Sequence, residues 1–212
     1  MPVQLKFCGL TRTEDVAEAV RLEAEYAGVI FAGGPRERTM EQATSLFMRG
    51  VPARRVGVFA RSNVEALRVA IAGVPLDVVQ LHGDATGAGI AAARAAGASE
   101  VWAVVRVDGV ELPAYAEELF QTADAVVLDT KGTSGLGGTG RVFSWEAIAA
   151  QVTRLDRRAR LVVAGGLTSL NVARAIRALA PDVVDVSSGV ESAPGVKDHS
   201  LMCRFAEAAR SA

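Results

Sequence analysis

Short apolar runs rich in β-branched and aromatic residues recur along the chain, and a helical pattern follows nearly every one. They are QLKFCGL (4–10), YAGVIFA (26–32), RRVGVFA (54–60), VVQLHG (78–83), EVWAVVRV (100–107), AVVLDTK (125–131), LVVAGGL (161–167) and VVDVSSGV (183–190). Runs of this length bounded by turn residues predict strands. Between them the spacing turns helical, as at Val172, Ile176 and Leu179. Thr11 and Glu14 have the spacing of a capping box, as do Ser62 and Glu65. The connection around GVELPAYAEELFQ has the weakest pattern.

Alternating strand and helix predict a parallel sheet with right-handed crossovers. Eight units of roughly 22–36 residues fill the chain with no Pro/Ser-rich linker, so one domain over 1–212 is expected. The sheet could be open and doubly wound or closed. The polar strand ends discriminate between the two. Cys8-Gly9, His82-Gly83, Asp129-Thr130-Lys131, Gly165-Gly166 and Ser187-Ser188-Gly189 sit on many different strands. An open sheet gathers ligand groups at one switch point, whereas a barrel brings every carboxyl end to one mouth. The expected fold class is α/β, a single-domain (β/α)8 TIM barrel with parallel strands.

Bulk properties narrow the partners. Half of the 212 residues are apolar and 22% are charged, an ordinary globular mix. A net charge of −1 suggests neither a nucleic-acid surface nor an anionic-membrane surface. The two cysteines, Cys8 and Cys203, form no disulfide framework or CxxC site, and His82 and His199 lack metal-ligand spacing. MPVQLKFCGL contains no signal-peptide core, and no run reaches membrane-spanning length. The expectation is a cytoplasmic protein that binds neither nucleic acid nor membrane.

One glycine-rich stretch invites a different reading. Gly135, Gly137 and Gly140 fit a dinucleotide fingerprint. That fingerprint belongs to the first βαβ unit, with an acidic residue at the end of the next strand. Here it follows the sixth strand; the next run, LVVAGGL, has no carboxylate, and Asp156 precedes it. The stretch reads instead as a loop at the barrel mouth.

The remaining strand ends carry the chemistry. Loops after strands seven and eight of a barrel often form a phosphate cradle, so Gly166, Ser188 and Gly189 are candidate phosphate binders, against the plainer reading of tight turns. A cysteine in a strand is ordinarily a small core residue. At the mouth, however, the Cys8 thiol could act as a base. Lys6 shares its strand face and would need a carboxylate if buried; Asp185 on the adjoining eighth strand is the candidate, and is counted with the substrate-facing residues. Asp129 is either a turn former or the complementary acid, its pKa raised by enclosure. Arg36, in FAGGPRERT, could clamp a substrate carboxylate with its planar fork. His82 reads as a structural or binding residue.

Together, KFCGLT, GPR, VGVF, VQLHG, LDT…GGTGRVFSW, AGGL and DVSSGVESAPGVKD resemble the phosphoribosylanthranilate isomerases of tryptophan biosynthesis, in order and over essentially the whole chain. The resemblance implies a cofactor-free (β/α)8 barrel and an Amadori rearrangement of N-(5-phosphoribosyl)anthranilate. It places Cys8 at the general base, Asp129 at the general acid, Arg36 at the anthranilate carboxylate, and Gly166, Ser188 and Gly189 in the phosphate loops. Departures are Gly34 where serine is common, Ala85 and Thr86 where an acid often stands, and FSW for FDW; none touches the proposed acid or base. The related histidine-pathway isomerase uses two aspartates, which Cys8 argues against. A nicotinamide oxidoreductase and a non-catalytic phosphate-binding barrel are the other readings considered.

Overall fold

A computed structural model describes residues 2–47, 50–61, 63–83, 85–130 and 143–212. Eight parallel strands close on themselves in sequence order. They are β1 (Gln4–Phe7), β2 (Tyr26–Ile30), β3 (Arg54–Phe59), β4 (Val78–Leu81), β5 (Val101–Val107), β6 (Ala125–Thr130), β7 (Arg160–Val163) and β8 (Val183–Val186). Helices α1 (Thr13–Arg21), α2 (Met40–Phe47), α3 (Val64–Gly73), α4 (Gly87–Ala95), α5 (Ala116–Thr122), α6 (Trp145–Val152), α7 (Val172–Leu179) and α8 (His199–Arg210) follow the strands in turn. The expected barrel is therefore the observed one. Between β8 and α8 the chain adds a 3-10 turn (Ser188–Val190) and a small antiparallel pair, β9 (Glu191–Ala193) and β10 (Val196–Lys197).

Strand alternation sorts the apolar residues into two cores. Leu5, Phe7, Leu81, Val126, Leu128 and Val184 point outward and pack with the buried helix faces. Tyr26, Val56, Val58, Trp102, Val104, Val127 and Cys8 fill the interior. The amino end of the barrel is plugged: Tyr26 meets Trp102 edge-on at 4.8 Å, and Arg54 and Arg160 lie over the Tyr26 ring. Glu100 takes ion pairs from both arginines and accepts from Trp102 Nε1 at 2.6 Å. Ligand access is thereby left to the carboxyl end, where the functional groups gather.

Side-chain caps start α3, α4, α6 and α8, whereas α1, α5 and α7 begin without one, and one expectation is corrected. Thr11 and Glu14 do not form the expected capping box. Arg12 precedes α1 without a side-chain cap, and the Thr11 hydroxyl donates instead to the Gly195 carbonyl on the turn between β9 and β10. The hydroxyl is aimed at the hairpin, and Arg12 rather than Thr11 occupies the N-cap position of α1. Ser62 lies outside the described residues, and Asn63 caps α3 by accepting from Ala66 N at 2.9 Å. Thr86, Ser144 and Asp198 cap α4, α6 and α8 in the same way. Lys131 and the glycines at 135, 137 and 140 also lie outside the described residues.

Candidate active site

The site grows from β1 upward. Lys6 is fully buried inside the barrel, and its ammonium donates to Asp185 Oδ2 at 2.5 Å and to Gln80 Oε1 at 3.0 Å. The register that pairs Lys6 with Asp185 across the β1–β8 seam makes this contact, so the carboxylate expected for Lys6 is present. Asp185 Oδ1, also buried, accepts no hydrogen bond among the described residues.

Cys8 follows the last residue of β1, and its backbone N–H donates to Val186 O at 2.9 Å. Burial is the largest influence and leaves the thiol above its ordinary pKa; Lys6 pulls it down, Asp185 pushes it up, and Lys197 adds a smaller pull downward. Gly9 next to it takes φ +68°, where a Cβ would lie 2.7 Å from Arg36 Cδ and 3.0 Å from Ser187 Oγ. Only glycine lets the Arg36 stem run this close to the thiol-bearing loop.

Arg36, after β2, presents its fork to Glu191 of β9, Nε to Oε1 at 2.9 Å and Nη2 to Oε2 at 2.7 Å. Glu191 also accepts from the buried Lys197 ammonium at 2.8 Å, and Lys197 donates to Ser187 O at 3.0 Å. The arginine expected to clamp a substrate carboxylate is thus held along one edge by a protein carboxylate.

On the far side of the barrel, Asp129 sits near the carboxyl end of β6, opposite Arg106 in the β5–β6 register. Arg106 Nη1 donates to Asp129 Oδ2 at 2.9 Å, and Arg106 Nη2 meets His82 Nε2. Burial pushes the Asp129 carboxyl up to about 6, outweighing the pull of Arg106. His82 is lowered to about 4, first by burial and then by Arg106 and Lys6, so its imidazole is neutral at pH 7. The Lys6–Asp185 pair acts on both Cys8 and Asp129, which places thiol and carboxyl about one interior.

The loops after β7 and β8 meet closely. Gly165 has φ +81°, and a Cβ there would lie 2.5 Å from Asp129 Oδ1. Gly166 has φ +68°, and its carbonyl accepts from Asn171 Nδ2 at 2.9 Å. A Cβ on Gly189, inside the 3-10 turn with Ser188, would overlap Leu167 O at 1.8 Å. The two loops therefore approach closely through glycine backbone, half-buried at the mouth.

The candidate residues Cys8, Arg36, His82, Asp129, Gly166, Asp185, Ser188 and Gly189 all lie at or just below the carboxyl ends of the strands. Three residues escaped the sequence reading. Arg106 carries a visible signal, a cation near the end of the otherwise apolar run VWAVVRV. Glu191 and Lys197 lie inside the motif DVSSGVESAPGVKD, but strand–helix alternation assigns them no role, because their importance comes from a hairpin outside the barrel.

The closed barrel, its plugged amino end and the titratable groups at the carboxyl ends of its strands have the arrangement of a (β/α)8 enzyme. The comparisons give the particular family. A sequence model of N-(5'-phosphoribosyl)anthranilate (PRA) isomerase matches residues 5–208, and the chain belongs to that family. It is similar to the N-(5'-phosphoribosyl)anthranilate isomerase of Rhodospirillum centenum, 38% identical over 212 residues, covering 97% of each chain. Among solved structures, the phosphoribosyl anthranilate isomerase of Thermotoga maritima superposes with TM-score 0.88 at 33% identity, covering 99% of this chain and 100% of that one. Another phosphoribosyl anthranilate isomerase, in complex with reduced 1-(o-carboxyphenylamino)-1-deoxyribulose 5-phosphate, superposes with TM-score 0.85 at 30% identity, with 99% and 100% covered.

Proposed function

We infer that the chain rearranges N-(5-phosphoribosyl)anthranilate to 1-(2-carboxyphenylamino)-1-deoxyribulose 5-phosphate in tryptophan biosynthesis, with Asp129 as general acid and Cys8 as general base. The observation that carries the residue roles is the pairing of a buried carboxyl raised to about 6 with a buried thiol near an ammonium, at the carboxyl ends of one barrel.

Protonated Asp129 donates to the ribose ring oxygen, and the C1–O bond opens to a cationic imine. That cation acidifies the C2 proton, which the Cys8 thiolate removes. The resulting enaminol takes a proton at C1 and releases the C2 hydroxyl proton, leaving the ketone. Gly166, Ser188 and Gly189 hold the phosphate by backbone N–H groups. Arg36 binds the anthranilate carboxylate along the edge of its fork that Glu191 leaves open. Asp185 Oδ1 accepts from a sugar hydroxyl, and His82 lines the site as a neutral ring. The working unit is the barrel of residues 1–212, cofactor-free in a reducing cytoplasm, monomer or homodimer, with no nucleic-acid or membrane partner.

The test is an isomerase assay on phosphoribosylanthranilate, with the histidine-pathway substrate as comparison. Cys8→Ala and Asp129→Asn should each lower kcat by about 10²–10⁴-fold while the far-UV spectrum stays native. Full turnover by either variant removes that residue from the mechanism.

A further inference from the structure

Resting on the reading of Cys8 as the base, we propose that Gly28 is the positioning residue of the thiol: its missing side chain is the notch in which Cys8 and Lys6 meet. Gly28 is the middle residue of β2, beside β1 in the barrel wall. Its carbonyl accepts from Leu10 N at 2.9 Å, so it flanks the bend that carries Cys8. A Cβ built there would lie 3.1 Å from Cys8 Sγ, 3.3 Å from Cys8 Cα and 3.4 Å from Lys6 Cε. Thiol sulfur and ammonium stem thus border the same small space, and the first carbon of any side chain would occupy it.

Nothing in the backbone demands glycine here. Gly28 is not among the positive-φ glycines, unlike Gly9, Gly165 and Gly166. An alanine would keep the strand and act only through volume. The contact at 3.1 Å requires the neighbour to yield by a few tenths of an ångström. The Cys8 backbone is held by its N–H bond to Val186 O, so the sulfur is the atom free to rotate away.

The charged groups facing the thiol are Lys6 from β1, Asp185 from β8, Lys197 from β10 and Arg36 from the loop after β2. Lys6 is the strongest of them in favouring the thiolate. Moving the sulfur away from Lys6 leaves burial less opposed, so the thiol titrates higher. Because the acid titrates below the base, the active form, acid protonated and base ionised, is a constant minority between the two pKa values. A higher thiol pKa therefore lowers the plateau of kcat/KM and moves its alkaline limb upward.

The experiment compares Gly28→Ala with the parent and with Cys8→Ala, measuring kcat, KM and the pH profile. The expected result is a kcat/KM plateau that falls by about the same factor as the thiol's acidity, an alkaline limb displaced to higher pH, and KM within about twofold. A plateau and limb equal to the parent's overturn the proposal, provided Cys8→Ala is inactive; an active Cys8→Ala instead overturns the reading of Cys8 itself. Thermal unfolding supplies a readout independent of turnover. Gly28→Ala should lower Tm more in the parent than in Cys8→Ala, where the sulfur is gone. Should Gly28→Ala fail to fold, the double variant should fold; failure of both to fold, or equal Tm losses in the two backgrounds, counts against the notch.

Discussion

At the residue scale, the proposed acid is poised by two opposed influences. Burial raises Asp129, and Arg106 at 2.9 Å holds it back, leaving it at about 6. Arg106→Leu should let the carboxyl rise further. The rising limb of kcat/KM, which reports Asp129 when acid lies below base, should then move above its parental position near pH 6. A limb that does not move would mean that Arg106 only anchors the loop. Residue-level legibility was uneven for a physical reason. Cys8, Asp129 and Lys6 stood out because a polar group on an apolar strand needs an explanation, and the partner inferred for Lys6 is the one the barrel seam provides. The occupation of the Arg36 fork was not legible, because Glu191 lies 155 positions away in sequence.

At the element scale, the hairpin of β9 and β10 straps the mouth. Its turn takes the Thr11 hydroxyl, Glu191 takes Arg36, and Lys197 N donates to the buried Asp15 at 3.3 Å. The first and second βα loops are tied together by an element that alternation never signals, since it is two short strands outside the barrel. The same contact aims the Thr11 hydroxyl at the hairpin, whereas Asn63, Thr86 and Ser144 cap their helices by accepting from backbone N–H groups. Glu191→Gln keeps the shape but removes the charge that aligns the Arg36 fork and pairs with Lys197. If Arg36 binds the substrate carboxylate, KM should rise by about tenfold, the worth of one charge-assisted hydrogen bond, with kcat within about twofold. An unchanged KM would leave the strap a purely structural role. The strand starts agree with the sequence runs to within one residue, whereas most runs pass the carboxyl end of their strand, by four residues at β7 and β8. Apolar runs with polar ends are what a doubly covered parallel sheet imposes on sequence.

At the scale of the whole molecule, global unfolding exposes His82 and Asp129 together, and their titrations oppose each other. His82 has a folded pKa of about 4 against an ordinary value of 6.5, so between these values the unfolded chain takes up the proton and acidification weakens the fold. Asp129 has a folded pKa of about 6 against 3.8, so over most of the same range the folded chain holds the extra proton and acidification strengthens it. The parent should therefore show a flattened dependence of stability on pH between about 4 and 6, as far as these two groups decide it. His82→Asn removes the opposing proton uptake, and its stability relative to the parent should grow as pH falls through that window. Asp129→Asn removes the compensating uptake, and its relative stability should decline over the same interval. Urea unfolding of the three proteins at pH 4, 5, 6 and 7 measures both slopes. Parallel curves for all three would mean that the two side chains are far better solvated than the closed barrel implies. The same enclosure keeps Asp129 protonated into the range where it can serve as an acid, so this measurement of stability also examines the physical basis of the proposed chemistry.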